Sequence, residues 1–545
     1  MTESDLTALA EDVLSRLRAT LSKAEAFRAP PPPDSVILTD WTVSSAQTWM
    51  TFSFVATYLG WRLQARPASM VLNIGEVTPV GALIHQTFSY ADQIDLMAHL
   101  RDAAAGGVIA AQIDAQIAAW PKGGAALREC VLGLRFDGLP VGDLVYDAHL
   151  RGTGRATIET LDAHLRNDIV LAALFHKAAQ SVLDRWNVKA VITAHRIYYQ
   201  LGILSRLALS RGIPLIESGS VNPFRIKHYR NFLEAMDDPL RMEPDELERV
   251  LATDRENALA YGRRYMAERQ AGAAQLHGAE GADGAYGDNR KIYDKAALCE
   301  RLGWSAERPI VSIMTHVFTE GPHFGQSLYD DFFHWIAETL RVAATNEHVQ
   351  WLVKGHPDAV YFEDQVRNQP TAEAFDDTLR RLLAPYADCP HIALAPNDLN
   401  TGSLPPMVKA VITLYGSAGI EFAALGIPVV TAAEACYHGH GFTLECRSRA
   451  EYEQILATLQ DAAPVTEEKR ERALAFFYLM QVKSRPLSSA LPPLAPLDWW
   501  SPRQDRAMLE GMRERLDRYT PREDPLYQRL DRMLRDNHSS AFDFA

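Results

Sequence analysis

PMVKAVITLYGSAGIEFAALGIPVVT, Pro406 to Thr431, is the stretch whose reading decides the fold. Val408 to Leu414 is an apolar, β-branched run of strand length. The chain then turns at Tyr415-Gly416-Ser417-Ala418-Gly419 and continues as a short helix from Ile420 to Leu425. It stops at Gly426 and enters a second apolar run, Ile427 to Thr431. Strand, small-residue turn, helix and strand make one βαβ unit. Gly416 and Gly419 allow close backbone approach to a ligand, and the helix start offers free N–H groups to an anion. Glu421, in the first helical turn, is placed to accept hydrogen bonds from hydroxyl groups. A phosphate with a sugar or ribose suits that corner. The plain alternative is an ordinary βαβ turn capped by Ser417, with Glu421 favoured by the helix dipole.

Working upstream, the second half of the chain repeats the pattern. The strand Pro309 to Met314 ends at Thr315-His316, and a polar loop holding Glu320, Gly321, His323 and Gly325 follows. The strand Val349 to Val353 ends at Lys354-Gly355-His356-Pro357, and Ile392 to Ala395 ends at Pro396-Asn397-Asp398. A doubly wound sheet brings such carboxyl ends into one crevice. There Lys354 and His356 supply donors for phosphate, and Asn397-Asp398 are placed to read a base. Polar strand ends in series favour a nucleotide-type ligand over chance placement.

The first half also alternates strand and helix. Residues 1–28 read as a helix, broken by Pro30 to Pro33. Strand-like runs follow at Ser35 to Thr39, Met70 to Ile74, Val188 to Thr193 and Ile213 to Ile216. Tyr90 to about Leu134 reads as mostly Ala-rich helix. His195 and Glu217 stand at strand ends and are candidates by position. Asp147 and Arg151 have the spacing of a surface helical pair, which is worth little. Gln270 to Asn289, rich in Gly and Ala, reads as a flexible linker.

At 545 residues the chain is long enough for two or three domains. Hydrophobic residues make up 47%, which fits globular cores, and the net charge of −14 argues against a general nucleic-acid binder. No apolar run reaches the roughly 18 residues of a membrane span. The amphipathic, charged N-terminus lacks a signal-peptide core. Cys130, Cys299, Cys389, Cys436 and Cys446 form no CxxC pair and fit a reducing compartment without a zinc ribbon.

The segments VSIMTHVFTEGPHFGQSLYDDFFHWI, WLVKGHPDA and VITLYGSAGIEFAALGIPVVTAAEACYHGHGFTLECRSRAEY resemble the capsule polysaccharide biosynthesis glycosyltransferases. These are GT-B enzymes related to bacterial transferases that use CMP-linked Kdo. The resemblance is best over about residues 290–460, with a weaker match over LPVGDLVYDAHLR and VITAHRIYYQLGILSRLALSRGIPLIESG. It implies two Rossmann-like α/β domains facing a cleft. It also implies a donor site lined by His356, Pro357, Ser417, Gly419 and Glu421, with Lys354 completing the Lys-x-His-Pro form. Glu320 stands where other forms carry an aspartate.

The expected protein is therefore a GT-B glycosyltransferase. It moves a sugar from a nucleotide-sugar donor, CMP-Kdo or a related acidic sugar, to a growing surface polysaccharide or glycolipid. The acceptor is an oligosaccharide or lipid-linked glycan. The expected organisation is an acceptor-side domain over 1–289, a donor domain over 290–463 and a helical tail over 464–545 crossing back to the first domain. Thr315, His316, Lys354, His356, Pro357, Asn397, Asp398, Gly416, Ser417, Ala418, Gly419 and Glu421 form the expected donor site. No metal motif and no cofactor requirement stands out, so Lys354, His356, Ser417 and the helix start are expected to meet the leaving phosphate. Glu217, His195 and Asp147 are candidate bases from the first domain, and Glu320 is a fourth catalytic candidate. Trp499 and Trp500 in the tail are expected to pack rather than stack on sugar. The expected location is cytoplasmic, peripheral at the inner membrane. The rival readings are a nucleotide-sugar epimerase or hydrolase of the same plan and a non-catalytic glycan assembly protein.

Overall fold

The computed structural model describes residues 3–25, 30–42, 46–72, 74, 77–218, 226–236, 238, 240–273, 285–357, 359, 371–484, 488–492 and 502–541. Most of the Gly/Ala-rich stretch expected as a linker lies outside the described residues, as do Trp499 and Trp500.

The first sheet is built from β1 (Ser35–Asp40), β2 (Arg66–Val71), β3 (Gln93–Asp95), β4 (Asn187–Thr193), β5 (Leu215–Ser218) and β6 (Ile226–Tyr229), in the order β3-β2-β1-β4-β5-β6. Its strands are parallel except for the β5–β6 pair. The second sheet is built from β7 (Ile310–Met314), β8 (Gln350–Lys354), β9 (Ile392–Leu394), β10 (Val408–Thr413), β11 (Val429–Thr431) and β12 (Leu444–Glu445). Its order is β9-β8-β7-β10-β11-β12, and all its pairs are parallel. Both sheets therefore have the Rossmann strand order, and the protein is a two-domain α/β fold of GT-B type. The order reverses between β1 and β4 in one sheet and between β7 and β10 in the other. The crevice beyond those strand ends is where such folds bind ligands.

Parallel strands covered on both faces read as nearly continuous apolar runs. In β7, Val311 and Ile313 point into one core with Trp351, Val353, Ala410 and Ile412, while Ile310 joins Leu352 and Val411 in the core on the other face. In β1, Val36 and Leu38 face one way and Ile37 the other.

Packing divides the chain elsewhere than at residue 289. The helices Pro244–Thr253 and Arg255–Gln270 bury Leu247, Val250, Leu259 and Met266 in the core of the second sheet. The helix Glu467–Tyr478 joins them through Leu474, Phe476 and Phe477. Its backbone lies so close to Gly262 that a Cβ there would sit 2.3 Å from the Leu474 carbonyl oxygen. The chain thus enters the second body near Met242. The later helices Pro502–Arg515 and Pro525–Arg535 bury Leu509, Met512, Leu530 and Met533 against Val13, Leu17 and Phe54 of the first. Among the described residues no helix is long and apolar enough to cross a membrane.

The two bodies are joined by polar contacts to the helix Gly142–Thr153 and the turn after it. Tyr146 and Thr157 each donate a 2.5 Å hydrogen bond to Asp331 Oδ2, across the seam. Asp331 is fully buried and caps the helix Phe332–Ala343 by accepting from the His334 N–H at 2.8 Å. Burial pushes its carboxyl up, but hydrogen bonds from His334, Thr157 and Tyr146 outweigh this and hold it below 3.8. Its contribution is therefore present above pH 3.8 and is lost as pH falls through the lowered value. Asp331→Ala removes the cap and strands two buried hydroxyls, with an expected loss of about 2–4 kcal/mol. Urea unfolding at neutral pH checks this, and a loss below about 0.5 kcal/mol contradicts it.

Candidate functional site

The central strands of the second sheet carry most of the expected donor residues to one place. His316 follows β7, and its ring stacks on Phe332 with centroids 4.6 Å apart. Its Nε2 is 3.1 Å from the hydroxyl of Thr413, the last residue of β10. Burial, then the charge of His356, lowers His316 to about 3, so it is neutral at physiological pH. The Thr315 hydroxyl donates to the Lys354 carbonyl at 2.9 Å and stitches β7 to β8. His356 lies beside His316, with ring centroids 6.5 Å apart, and half-buried Pro357 follows it. Burial, then Lys354 and Arg269, lowers His356 to about 4.

Lys354 ends β8 and is only 6% exposed. Its pKa falls from 10.5 to about 8, first through burial and then through repulsion from the Arg290 guanidinium. Among the described residues no carboxylate pairs with it. Arg290 has a buried Nε with no hydrogen-bond partner there, while its Nη1 donates to the Asn397 carbonyl. A buried ammonium thus lies near a half-buried guanidinium and, among the described residues, no carboxylate pairs with Lys354, an arrangement that favours an anion.

The βαβ turn is packed more tightly than its composition suggests. Gly419 has ordinary backbone angles, and its glycine is required because a Cβ would lie 1.9 Å from the Tyr437 hydroxyl. That hydroxyl donates to the Gly416 carbonyl at 2.8 Å and fixes the turn. The helix Ala418–Ala424 has no side-chain cap. The Ser417 hydroxyl instead donates to Glu421 Oε1 at 2.9 Å. Glu421 is 3% exposed, accepts from Tyr286 at 2.6 Å, and pairs with Arg269 at 3.2 Å. Its carboxylate is therefore held by protein groups from two separate segments.

Asn397 and Asp398 do not join this cluster through their side chains. The Asn397 amide donates to Asp376, and Asp398 accepts from Tyr293 at 3.1 Å and pairs with Arg301. They form a separate polar network at the end of β9.

Of the catalytic candidates, His195 and Asp147 contact the second body across the seam, while Glu217 is held within the first. Glu217 ends in a buried pair with Arg196 at 3.2 Å and accepts from Tyr229 at 2.8 Å. His195 lies near Phe324 of the second body, with centroids 6.5 Å apart, and its Nδ1 accepts the Ile197 N–H at 3.2 Å. Burial, then Arg196, lowers His195 to about 4. Asp147 lies in the interior rather than on a helix surface. It is 2% exposed and bonds His323 Nδ1 at 2.6 Å and the His323 N–H at 3.3 Å. Burial raises the Asp147 carboxyl, and His323 opposes the rise in part. Burial lowers His323, but Asp147 and then Asp143 and Asp331 outweigh it and hold it above 6.5. Half-buried Glu320 acts electrostatically on Tyr198 and Tyr415, and the Tyr415 hydroxyl donates to the neighbouring Gly321 carbonyl at 2.7 Å.

Sequence reasoning missed Arg269, Tyr286, Arg290 and Tyr437 and gave His323 no role. Only the GPHFG loop holding His323 carried a signal, a histidine between glycines after a strand.

No family model matches the chain, and no curated protein matches it. Among solved structures, it is similar to the β-Kdo 2,4 transferase KpsC of Thermosulfurimonas dismutans, with 14% identity over 53% of this chain and 88% of that one and a TM-score of 0.28. It is also similar to the wall teichoic acid polymerase TagF, with 11% identity over 95% and 98% of the two chains and a TM-score of 0.21. A UDP-GlcNAc 2-epimerase from Neisseria meningitidis bound to UDP-GlcNAc matches with 9% identity over 82% and 99% and a TM-score of 0.21.

Proposed function

We propose that this protein is a glycosyltransferase taking a sugar from a nucleotide-sugar donor to a hydroxyl of a surface polysaccharide or glycolipid. One observation carries the reading. Lys354 and Arg290 form a cationic corner, with no carboxylate paired to Lys354 among the described residues, at the carboxyl edge of the second sheet, beside the strand-order reversal. A donor phosphate supplies the missing charge and, as the sugar departs, the cations stabilise the charge that develops on it. Neutral His356 adds an N–H donor, and the Gly416–Gly419 turn borders the nucleotide. The sequence resemblance favours CMP-Kdo or a related acidic sugar, whose carboxylate adds a second anionic handle. The acceptor enters from the first domain, across the seam. The enzyme works on cytosolic donors at the inner membrane surface without spanning it, and its acidic net charge suits no nucleic-acid partner.

A thermal-shift panel of CMP, UDP and GDP with their sugars tests this. The matching nucleotide at about one hundred times its dissociation constant stabilises the fold by roughly 2.7 kcal/mol. A panel in which none shifts the melting temperature refutes the reading.

A further inference from the structure

We infer that His323 is the base that takes the acceptor proton, and that Asp147 is a positioning residue acting through it. The inference rests on the glycosyl-transfer reading above. Glu217 is bound to Arg196 and Tyr229 and is buried. His195 receives a backbone N–H at Nδ1, so its neutral ring carries its proton on Nε2 and has a donor to offer there. Asp147 has both oxygens engaged by His323.

His323 has the complementary arrangement. A carboxylate only accepts, so the 2.6 Å bond places the ring proton on Nδ1 and the lone pair of the neutral ring on Nε2. The His323 side chain keeps 15% exposure against 2% for Asp147. It lines a small cavity with Asp143, Arg196, Arg206 and Met236, between the two bodies. The base and its orienter come from opposite sides of the seam, so the pair exists only when the domains are docked.

In the step, the acceptor oxygen forms its bond to the anomeric carbon as its proton passes to His323 Nε2. The bond from that carbon to the donor phosphate oxygen breaks, and its electron pair leaves with the nucleotide toward Lys354 and Arg290. Asp147 stabilises the imidazolium, which later returns the proton to solvent.

His323→Gln, Asp147→Asn and Glu320→Gln test this beside the wild type. Nucleotide release from CMP-Kdo, UDP-GlcNAc and GDP-mannose is measured with a mixture of oligosaccharide acceptors, together with the thermal shift by each free nucleotide. His323→Gln is expected to lower kcat about 100- to 10,000-fold while the nucleotide shift stays unchanged. The groups facing His323 are Asp147 and Asp143 of one helix, Asp331 at the cap of another, the Tyr146 ring, and Arg196 and Arg206 in the shared cavity. Asp147 and the other carboxylates raise its pKa, so Asp147→Asn moves the acid limb of the kcat profile to lower pH as well as lowering its plateau. Full kcat in His323→Gln, an unmoved limb in Asp147→Asn, or a loss in Glu320→Gln equal to that in His323→Gln overturns the inference. A wild type that turns over none of the donors and is shifted by no nucleotide fails the transferase reading first, and this inference with it.

Discussion

Glu421→Ala is expected to lose about 3–5 kcal/mol of stability, because it strips a buried guanidinium of its carboxylate. Arg269, 7% exposed, reaches Glu421 from the helix Arg255–Gln270, and Tyr286 and Ser417 converge on the same two oxygens. Removing the carboxylate leaves a charge and two hydroxyls to be desolvated without it. A loss of binding in this variant alone therefore does not distinguish a ligand contact from a damaged fold. Glu421→Ala with Arg269→Met removes both charges and is expected to recover most of the stability. Urea unfolding of both variants and the wild type measures the difference. If the single variant loses less than about 1 kcal/mol, Glu421 is not the keystone of this corner. If the double variant recovers stability without nucleotide binding, Glu421 or Arg269 acts on the ligand as well.

Lys354→Met is expected to behave in the opposite way, with a more stable protein that binds nucleotide more weakly. The ammonium is buried beside Arg290, and the long apolar side chain of Met fills the same space without a charge. The gain is about 1–3 kcal/mol, and the nucleotide affinity falls about 10- to 100-fold with the charge-assisted contact. The pH dependence has a definite sign. The folded pKa is about 8 against 10.5, so between those values the unfolded chain binds more protons and the wild type gains stability as pH rises. The advantage of Lys354→Met is therefore full below pH 8 and disappears above about 10.5. An anion beside Lys354 raises its pKa, so nucleotide binding near pH 9 takes up a proton. Calorimetry in buffers of different ionisation enthalpy detects that uptake. A less stable Lys354→Met, or binding without proton uptake, contradicts the assignment of the cationic corner.

The long central strands were legible because a parallel strand covered on both faces is a short apolar run ended by a polar residue. Ser35–Asp40, Asn187–Thr193, Ile310–Met314, Gln350–Lys354 and Val408–Thr413 all have that form. Gln93–Asp95 and Leu444–Glu445 did not show as strands, since two or three residues with polar members carry no period. The Ala-rich reading from Tyr90 to Leu134 resolved into that strand and several short helices, separated where Gly106, Gly107 and Gly124 take positive φ. The boundary read near 289 and the packing of the preceding helices rest on different signals. Composition marks a linker, but Leu247, Leu259 and Met266 chose their core by which helical faces they met.

Local order along the chain was enough to place Thr315, His316, Lys354, His356 and Gly416–Gly419 at one sheet edge. Alternating strand and helix leaves the carboxyl ends of parallel strands on the same side whatever the rest of the chain does. Which of those residues is held and which is left wanting a partner was decided only by tertiary structure. Glu421 is answered by an arginine 152 positions earlier in the chain. Asp147 bonds a histidine 176 residues away, where helical spacing pointed to Arg151. Lys354 stands out because it is buried and, among the described residues, no carboxylate pairs with it. A charge's partner and its degree of desolvation depend on through-space distance, and residues far apart along the chain acquire that distance only when both domains have folded and docked.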